Sequence, residues 1–315
     1  MPSPRRIDVH FHLIPQFYQD AAYAAGAGPA IGRYPEWSPE RALDLMDQSS
    51  IDVAMTSLAQ PGVQFGDPGK AAALARRCNE FASELCARWP RRFGAFATLP
   101  MWDMREAAAE AEHALGPLKH HGVCLFASYG EKFLGDPSFD PLMEALDAHA
   151  AVVFVHPALH PSSRKLELPW PGFMMEYVFD TTRAAVNLVF TGAIERFPRI
   201  RFVLAHAGGL VPYFAWRLSV SPMIDKRLEQ MTPEQVYARF RRFWYDNALS
   251  PTAETFECLK AVADPKQIVF GSDWPFANAR VIAEAVKFYE GVAMPQTQRD
   301  AIDRANALSL FPQFA

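Results

Sequence analysis

The 315-residue sequence predicts an α/β fold, a (β/α)8 TIM barrel, as a single domain over residues 1–315 with small insertions. Three observations carry this. Eight short β-rich runs alternate with helix-period stretches along the chain. Several runs are continuously apolar, as in Val152-Val153-Phe154-Val155, which suits strands covered on both faces. No GxGxxG follows the first run, so the signature of a doubly wound dinucleotide-binding sheet is missing. A prior of roughly 150 residues per domain favours two domains, but the strand count uses the chain up in one barrel.

The predicted strands are residues 7–12, 53–58, 92–100, 122–128, 151–157, 201–209, 243–249 and 268–276. Residues 18–37 read as an insertion after the first. Helix starts lie between the strands. Ser38-Pro39-Glu40, Asp140-Pro141 and Ser250-Pro251 each place an N-cap residue before a proline at the first helical position. Asp103 with Glu106 resembles a capping box. Leu142, Ala145, Leu146 and His149 share a helical face, as do Phe256, Leu259 and Val262.

Half of the residues are hydrophobic and 21% are charged, enough apolar material for a large core. The formal net charge is −4, so no basic excess points to nucleic acid or an anionic membrane. No apolar run approaches the ~20 residues of a membrane span, and the first residues lack a signal-peptide core. Cys78, Cys86, Cys124 and Cys258 form no CxxC pair and lie in apolar-periodic stretches, so buried reduced thiols are expected. A cytoplasmic location follows as the expectation.

In such a barrel, chemistry gathers where the strands end at their C-termini. His10 and His12 end the first strand, and residues two apart on a strand point to the same side. His156 ends the fifth strand and His206 the sixth, in Leu204-Ala205-His206-Ala207-Gly208-Gly209. Asp273 ends the eighth, in Phe270-Gly271-Ser272-Asp273-Trp274-Pro275. A lone HxH reads equally well as hydrogen-bonded interior histidines. Imidazoles and a carboxylate repeated at four strand ends read as a metal site, good for Zn²⁺ and acceptable for Mn²⁺ or Fe²⁺. His113, His120, His121 and His149 read as solvated or locally hydrogen-bonded. His160, four residues beyond the fifth strand, reads the same way, though within reach of the mouth. Phe11, Trp170, Phe173 and Trp274, near strand ends, offer an aromatic supply for a pocket.

These motifs resemble the amidohydrolase superfamily, and more narrowly the branch of aminocarboxymuconate semialdehyde decarboxylase and the salicylate-type decarboxylases. The likeness runs through Ile7-Asp8-Val9-His10-Phe11-His12, Trp37-Ser38-Pro39-Glu40 leading to Met46-Asp47, and Pro90-Arg91-Arg92-Phe93. It continues in Leu168-Pro169-Trp170, Asp180-Thr181-Thr182, Phe197-Pro198, His206-Ala207-Gly208-Gly209 and Gly271-Ser272-Asp273-Trp274-Pro275-Phe276. HxH is common to the whole superfamily, whereas the last two motifs together are far more specific to this branch.

The resemblance implies one metal ion, Zn²⁺ before Mn²⁺, held by His10, His12, His156 and Asp273, with His206 as a catalytic residue beside it. Binuclear relatives carry a bridging lysine at the end of strand four, where Gly122-Val123-Cys124-Leu125-Phe126-Ala127-Ser128 has none. It further implies substrate contacts from Arg217, in some relatives across a dimer interface, from Trp170 and from Trp274, and hence a homodimer. Arg33 and Arg41 are weaker candidates for a carboxylate contact. Gly209 stands where resorcylate-type relatives place a glutamate partner for the histidine, so no histidine–glutamate relay is implied.

The stretches 35–38 and 179–183 look most like 6-methylsalicylate decarboxylases. The implied partner is a small aromatic or unsaturated carboxylic acid. The implied reaction is non-oxidative decarboxylation of an ortho-hydroxy aromatic acid to a phenol such as m-cresol plus CO2, with Asp273 or His206 delivering the proton. The alternative is a mononuclear metal-dependent hydrolase of a lactone, ester or amide, with Asp273 as base and His206 steadying the oxyanion. The residue set alone does not separate the two, since one site can support both chemistries.

Overall fold

The computed structural model describes residues 5–165 and 167–315. Eight strands form one sheet in chain order: β1 Arg6–His12, β2 Ile51–Ser57, β3 Phe93–Ala97, β4 Gly122–Phe126, β5 Val152–His156, β6 Arg201–Leu204, β7 Trp244–Asp246 and β8 Ile268–Val269. All seven neighbouring pairs are parallel. Backbone bonds from Val9 N to Phe270 O (2.9 Å), Asp273 N to His10 O (2.8 Å) and His12 N to Trp274 O (2.7 Å) bring the eighth segment back to the first. The result is the expected (β/α)8 barrel.

The strands form because both faces bury. One apolar cluster draws on every strand, through Val9, Met55, Phe96, Cys124, Phe154, Val203, Trp244 and Val269, and is met by Phe311 and Phe314. A cluster shared by all eight strands is the barrel interior. The opposite faces, among them Leu125, Val153, Val155 and Leu204, pack on surrounding helices through residues such as Leu142, Leu146, Ala184 and Leu188. At about 25 cal/mol per Å² of apolar surface removed from water, this double burial is the main driving force for the fold. Buried Arg6 ties β1 to the C-terminal segment, donating to Asp303 (3.2 Å) and Glu290 (2.7 Å).

Seven of the eight strands end earlier than the sequence suggests, the last three because the chain turns where the polar residues begin. After Leu204, His206, Ala207, Gly208 and Gly209 all have positive φ, which no strand sustains. After Asp246 its own carboxylate accepts from Ala248 N (3.0 Å), and Asp273 beyond β8 has φ +67.

Two helix starts are as expected. Ser38 accepts from Arg41 N with Pro39 next, and Asp103 accepts from Arg105 N and Glu106 N, an N-cap without the return contact of Glu106 that a full capping box needs. Two are corrected. Asp140 is already helical, with Phe139 at the cap and Asp136 capping the short turn before it. The helix after β7 starts at Ala253 with Thr252 at the cap, two residues past Ser250-Pro251. A full capping box forms at Thr232 and Gln235. The four cysteines are free, but only Cys78 and Cys124 are buried; Cys86 and Cys258 are partly exposed. Among the described residues, no helix is long and apolar enough to cross a membrane.

Candidate metal centre

His10, His12, His156 and Asp273 are all buried, and one ligand atom from each lies within 4.8 Å of the others. His10 Nε2 is 3.3 Å and His12 Nε2 is 3.1 Å from Asp273 Oδ1. Ligands of a tetrahedral ion with bonds of about 2.1 Å stand about 3.4 Å apart. The outward ring nitrogens are already engaged. His10 Nδ1 meets Asp246 Oδ2 (2.8 Å), His12 Nδ1 meets Ser57 Oγ (3.1 Å) and His156 Nδ1 meets the Pro157 carbonyl (2.8 Å). With Nδ1 of each ring taken up in this way, Nε2 is the atom left to face the set, the arrangement a metal requires.

The electrostatics call for a cation. Burial works against a proton on His10, but Asp273 and Asp246 outweigh it and push the ring up to about 10. His10 Nε2 is nevertheless buried without a hydrogen-bond partner. Burial, with like-charged neighbours, holds His12 and His156 below the usual imidazole range, His156 far below. Burial would raise the Asp273 carboxyl, yet His10, His12 and His206 hold it well below the ordinary carboxylate range. His12 and His156, held neutral, stand beside an ionised carboxylate and a His10 whose proton a divalent ion would displace, a set that fits such an ion.

His206 sits beside this set, its Nε2 3.3 Å from Asp273 Oδ2 and its Nδ1 buried without a partner. The tight turn that presents it explains the two glycines. A methyl group at Gly208 would meet the Tyr245 ring at 2.6 Å, and one at Gly209 would meet Val178 O at 2.2 Å. The latter contact leaves no room for a glutamate at 209. Thr182 Oγ1 accepts from Leu210 N (2.8 Å) and so ties this turn to helix Phe173–Phe190. Asp180 of the same helix accepts from Ser128 Oγ (2.9 Å) and Ala158 N (2.8 Å), bracing the loop after β5.

A cavity of about 310 Å³ opens from His156, His206 and Asp273, walled by Ile31, Phe173, Tyr177, Val178, Leu249 and Phe276. Tyr177 OH donates to Gln60 Oε1 (3.0 Å) on its rim. Phe173, one of the aromatic residues near strand ends, is on the wall, whereas Gln60, Tyr177 and Phe276 were not singled out. The other expected contacts do not line this cavity. Trp274 is 6% exposed and stacks on Phe11 with ring centroids 4.7 Å apart, so it fills core. Trp170 is 37% exposed. Arg217 lies exposed on helix Val211–Ser219. Arg33 is exposed, and Arg41 pairs with Glu36 at the surface. His160 is buried, stacked on Phe133 (4.7 Å) with Nδ1 2.7 Å from Ser162 Oγ. His120 and His121 are locally hydrogen-bonded, to Asn79 O and Ala95 N.

The residue that sequence reasoning missed is Asp246, which ends β7 and touches His10. Its place at a strand end emerges from the structure, since the sequence stretch 243–249 does not mark where the strand stops.

Eight parallel strands with a three-histidine, one-aspartate set at their C-terminal mouth define a metal-dependent barrel enzyme. The amidohydrolase family profile matches residues 7–313, and the chain belongs to that family. It is 36% identical to decarboxylase yanB of Aspergillus niger, over 98% of this chain and 88% of that one. It is 35% identical to the 6-methylsalicylic acid decarboxylase of Penicillium expansum, over 98% and 96%. Its fold matches 5-carboxyvanillate decarboxylase of Novosphingobium aromaticivorans, solved with manganese and 4-hydroxy-3-methoxy-5-nitrobenzoic acid. That match has a TM-score of 0.88 at 21% identity and covers 98% and 96% of the two chains.

Proposed function

We propose that the protein is a metal-dependent, non-oxidative decarboxylase of an ortho-hydroxy aromatic carboxylic acid, with 6-methylsalicylate as the first candidate and m-cresol plus CO2 as products. The observation that carries the reading is the position of His206 and Asp273. They join the ligand set to an aromatic-walled cavity sized for one substituted ring. The relatives named as decarboxylases over nearly the whole chain support the reaction class.

His10, His12, His156 and Asp273 would hold one divalent ion, Zn²⁺ first and Mn²⁺ second; the N. aromaticivorans enzyme holds manganese. When bound, the ion supplies Lewis-acid stabilisation and fixes the orientation of the carboxylate and phenolic oxygens. Phe173, Val178 and Phe276 exclude water from the ring. His206 Nε2 and Asp273 Oδ2, 3.3 Å apart, share the proton that is delivered to the ring carbon bearing the carboxylate. Cleavage of that carbon–carbon bond returns the electron pair to the ring and releases CO2. No oxidant takes part.

Arg217 serves this reaction only from a second copy of the chain. It lies among exposed Tyr213 (74%), Trp216 (71%), Met223 (76%) and Ile224 (83%), an apolar surface suited to a homodimer. A cytoplasmic setting fits the free thiols.

The test is incubation of the Zn²⁺- or Mn²⁺-loaded protein with 6-methylsalicylate and related hydroxybenzoates, following CO2 and phenol. Work in deuterated water places one deuterium on the product carbon. No decarboxylation across that panel, together with turnover of lactones that incorporates solvent oxygen, would overturn the reading in favour of hydrolysis.

A further inference from the structure

We infer that Asp246 is a positioning residue that couples the metal ligand His10 to the proton-delivering His206 through a single buried carboxylate. The inference rests on the metal-dependent reading of the site. It adds a residue outside the ligand set and a defined job for each of its oxygens.

Asp246 is fully buried, as is His10. Its Oδ2 accepts from His10 Nδ1 at 2.8 Å. Its Oδ1 accepts from the backbone N of His206 (2.8 Å) and of Ala248 (3.0 Å). The first contact fixes the proton of His10 on Nδ1 and leaves Nε2 as the ligand atom. The second holds His206 at φ +54, a backbone conformation strained in a residue with a side chain, which persists only where neighbours impose it. One group thus sets the tautomer of a ligand and the placement of the neighbouring ring.

The space for this contact is also built. A methyl group at Gly271 would lie 2.8 Å from His10 Cβ, 3.3 Å from Asp246 Cβ and 3.2 Å from Ala248 Cβ. Glycine there lets β1, β7 and β8 come close enough for the His10–Asp246 bond to form at all.

An amide cannot replace this carboxylate. It has one acceptor oxygen, whereas Asp246 accepts on both sides. With the amide oxygen towards His206, its NH2 faces His10 Nδ1, which must become the acceptor, and the His10 proton then moves to Nε2, where it blocks coordination. With the oxygen towards His10, the NH2 opposes two backbone N–H groups and the His206 turn loses its anchor.

The experiment compares wild type with Asp246→Asn in two measurements. The first is Zn²⁺ affinity by chelator competition. The second is the ring tautomer in ¹⁵N-histidine-labelled, Zn²⁺-loaded protein, with His10 assigned by its absence from a His10→Gln sample. Expected are a Zn²⁺ affinity lowered 10- to 100-fold in Asp246→Asn and, in wild type, a slowly exchanging proton on His10 Nδ1. A purely structural role would lower thermal stability without moving either readout. Wild-type affinity in folded Asp246→Asn overturns the inference while the metal site stands. Failure of wild type itself to bind Zn²⁺ or Mn²⁺ overturns the metal reading instead. Should Asp246→Asn not fold, the wild-type spectrum decides: a His10 proton on Nε2 rather than Nδ1 overturns the inference.

Discussion

The two oxygens of Asp273 face different partners: Oδ2 lies 3.3 Å from Nε2 of His206, while Oδ1 lies 3.1 Å from Nε2 of His12. One oxygen belongs to the ligand set and the other to the cavity side. Removing His206 should therefore spare the ion and remove proton delivery. His206→Asn is expected to keep wild-type metal content and to lower decarboxylation by about 10²- to 10⁴-fold. Asp273→Asn is expected to lose metal and activity together. Metal analysis of the purified variants beside a CO2-release assay checks both; normal metal content in Asp273→Asn would contradict the assignment.

Gly209 lies at φ +63 with Val178 O where a side chain would begin. Gly209→Ala must open the turn or shift helix Phe173–Phe190. A loss of about 1–3 kcal/mol of stability is expected, read as a lower urea midpoint, together with reduced activity because His206 is carried on the same turn.

Arg6 is 1% exposed and its guanidinium meets the buried Asp303 carboxylate, whose pKa burial raises and Arg6 counters. Arg6→Met leaves that carboxylate without a partner and should cost about 3–5 kcal/mol. Adding Asp303→Asn should restore part of the loss. Urea unfolding of the two single variants and the double variant measures the coupling.

His120 is buried, its Nε2 donating to Asn79 O, and burial lowers its pKa to about 4. The unfolded chain takes up that proton near 6.5 and the folded chain only near 4, so stability is full above 6.5 and falls as the pH drops between the two. The loss from this ring is about 3 kcal/mol. His121, also lowered to about 4 by burial, acts in the same direction. His120→Gln can still donate to Asn79 O. It should show a shallower fall in urea midpoint between pH 7 and 4.5 than wild type; an unchanged slope would refute the assignment.

Much of this molecule was legible in the sequence because its strands are buried on both faces and so read as apolar runs. The residues that cap them stand out by contrast: His10, His12, His156, His206 and Asp273 each interrupt such a run. Asp246 obeys the same rule but was absorbed into a strand drawn as residues 243–249, since nothing in Trp244-Tyr245-Asp246-Asn247 marks where the ladder stops. The cavity wall was less legible for a different reason. Gln60 and Phe276 arrive from two separate connections and Tyr177 from helix Phe173–Phe190, none of them at a strand end. Trp274 drew attention by adjacency to a ligand in sequence, but its ring stacks on Phe11. The prolines at residues 141 and 251 misled because a serine or aspartate before proline also suits the turn that precedes a helix.

The seam between β1 and β8 has a consequence for how the protein comes into being. His12 and Asp273, 261 positions apart, supply neighbouring ligand atoms, and Asp8 Oδ1 bridges the amides of His10 and Ser272 across the same seam. During synthesis the first ligands leave the ribosome long before the last one exists. A nascent chain, or any fragment ending before residue 273, has no complete ligand set. The four-residue set therefore exists only once Asp273 has joined the first strand, and an ion held there would tie together the two ends of the barrel wall.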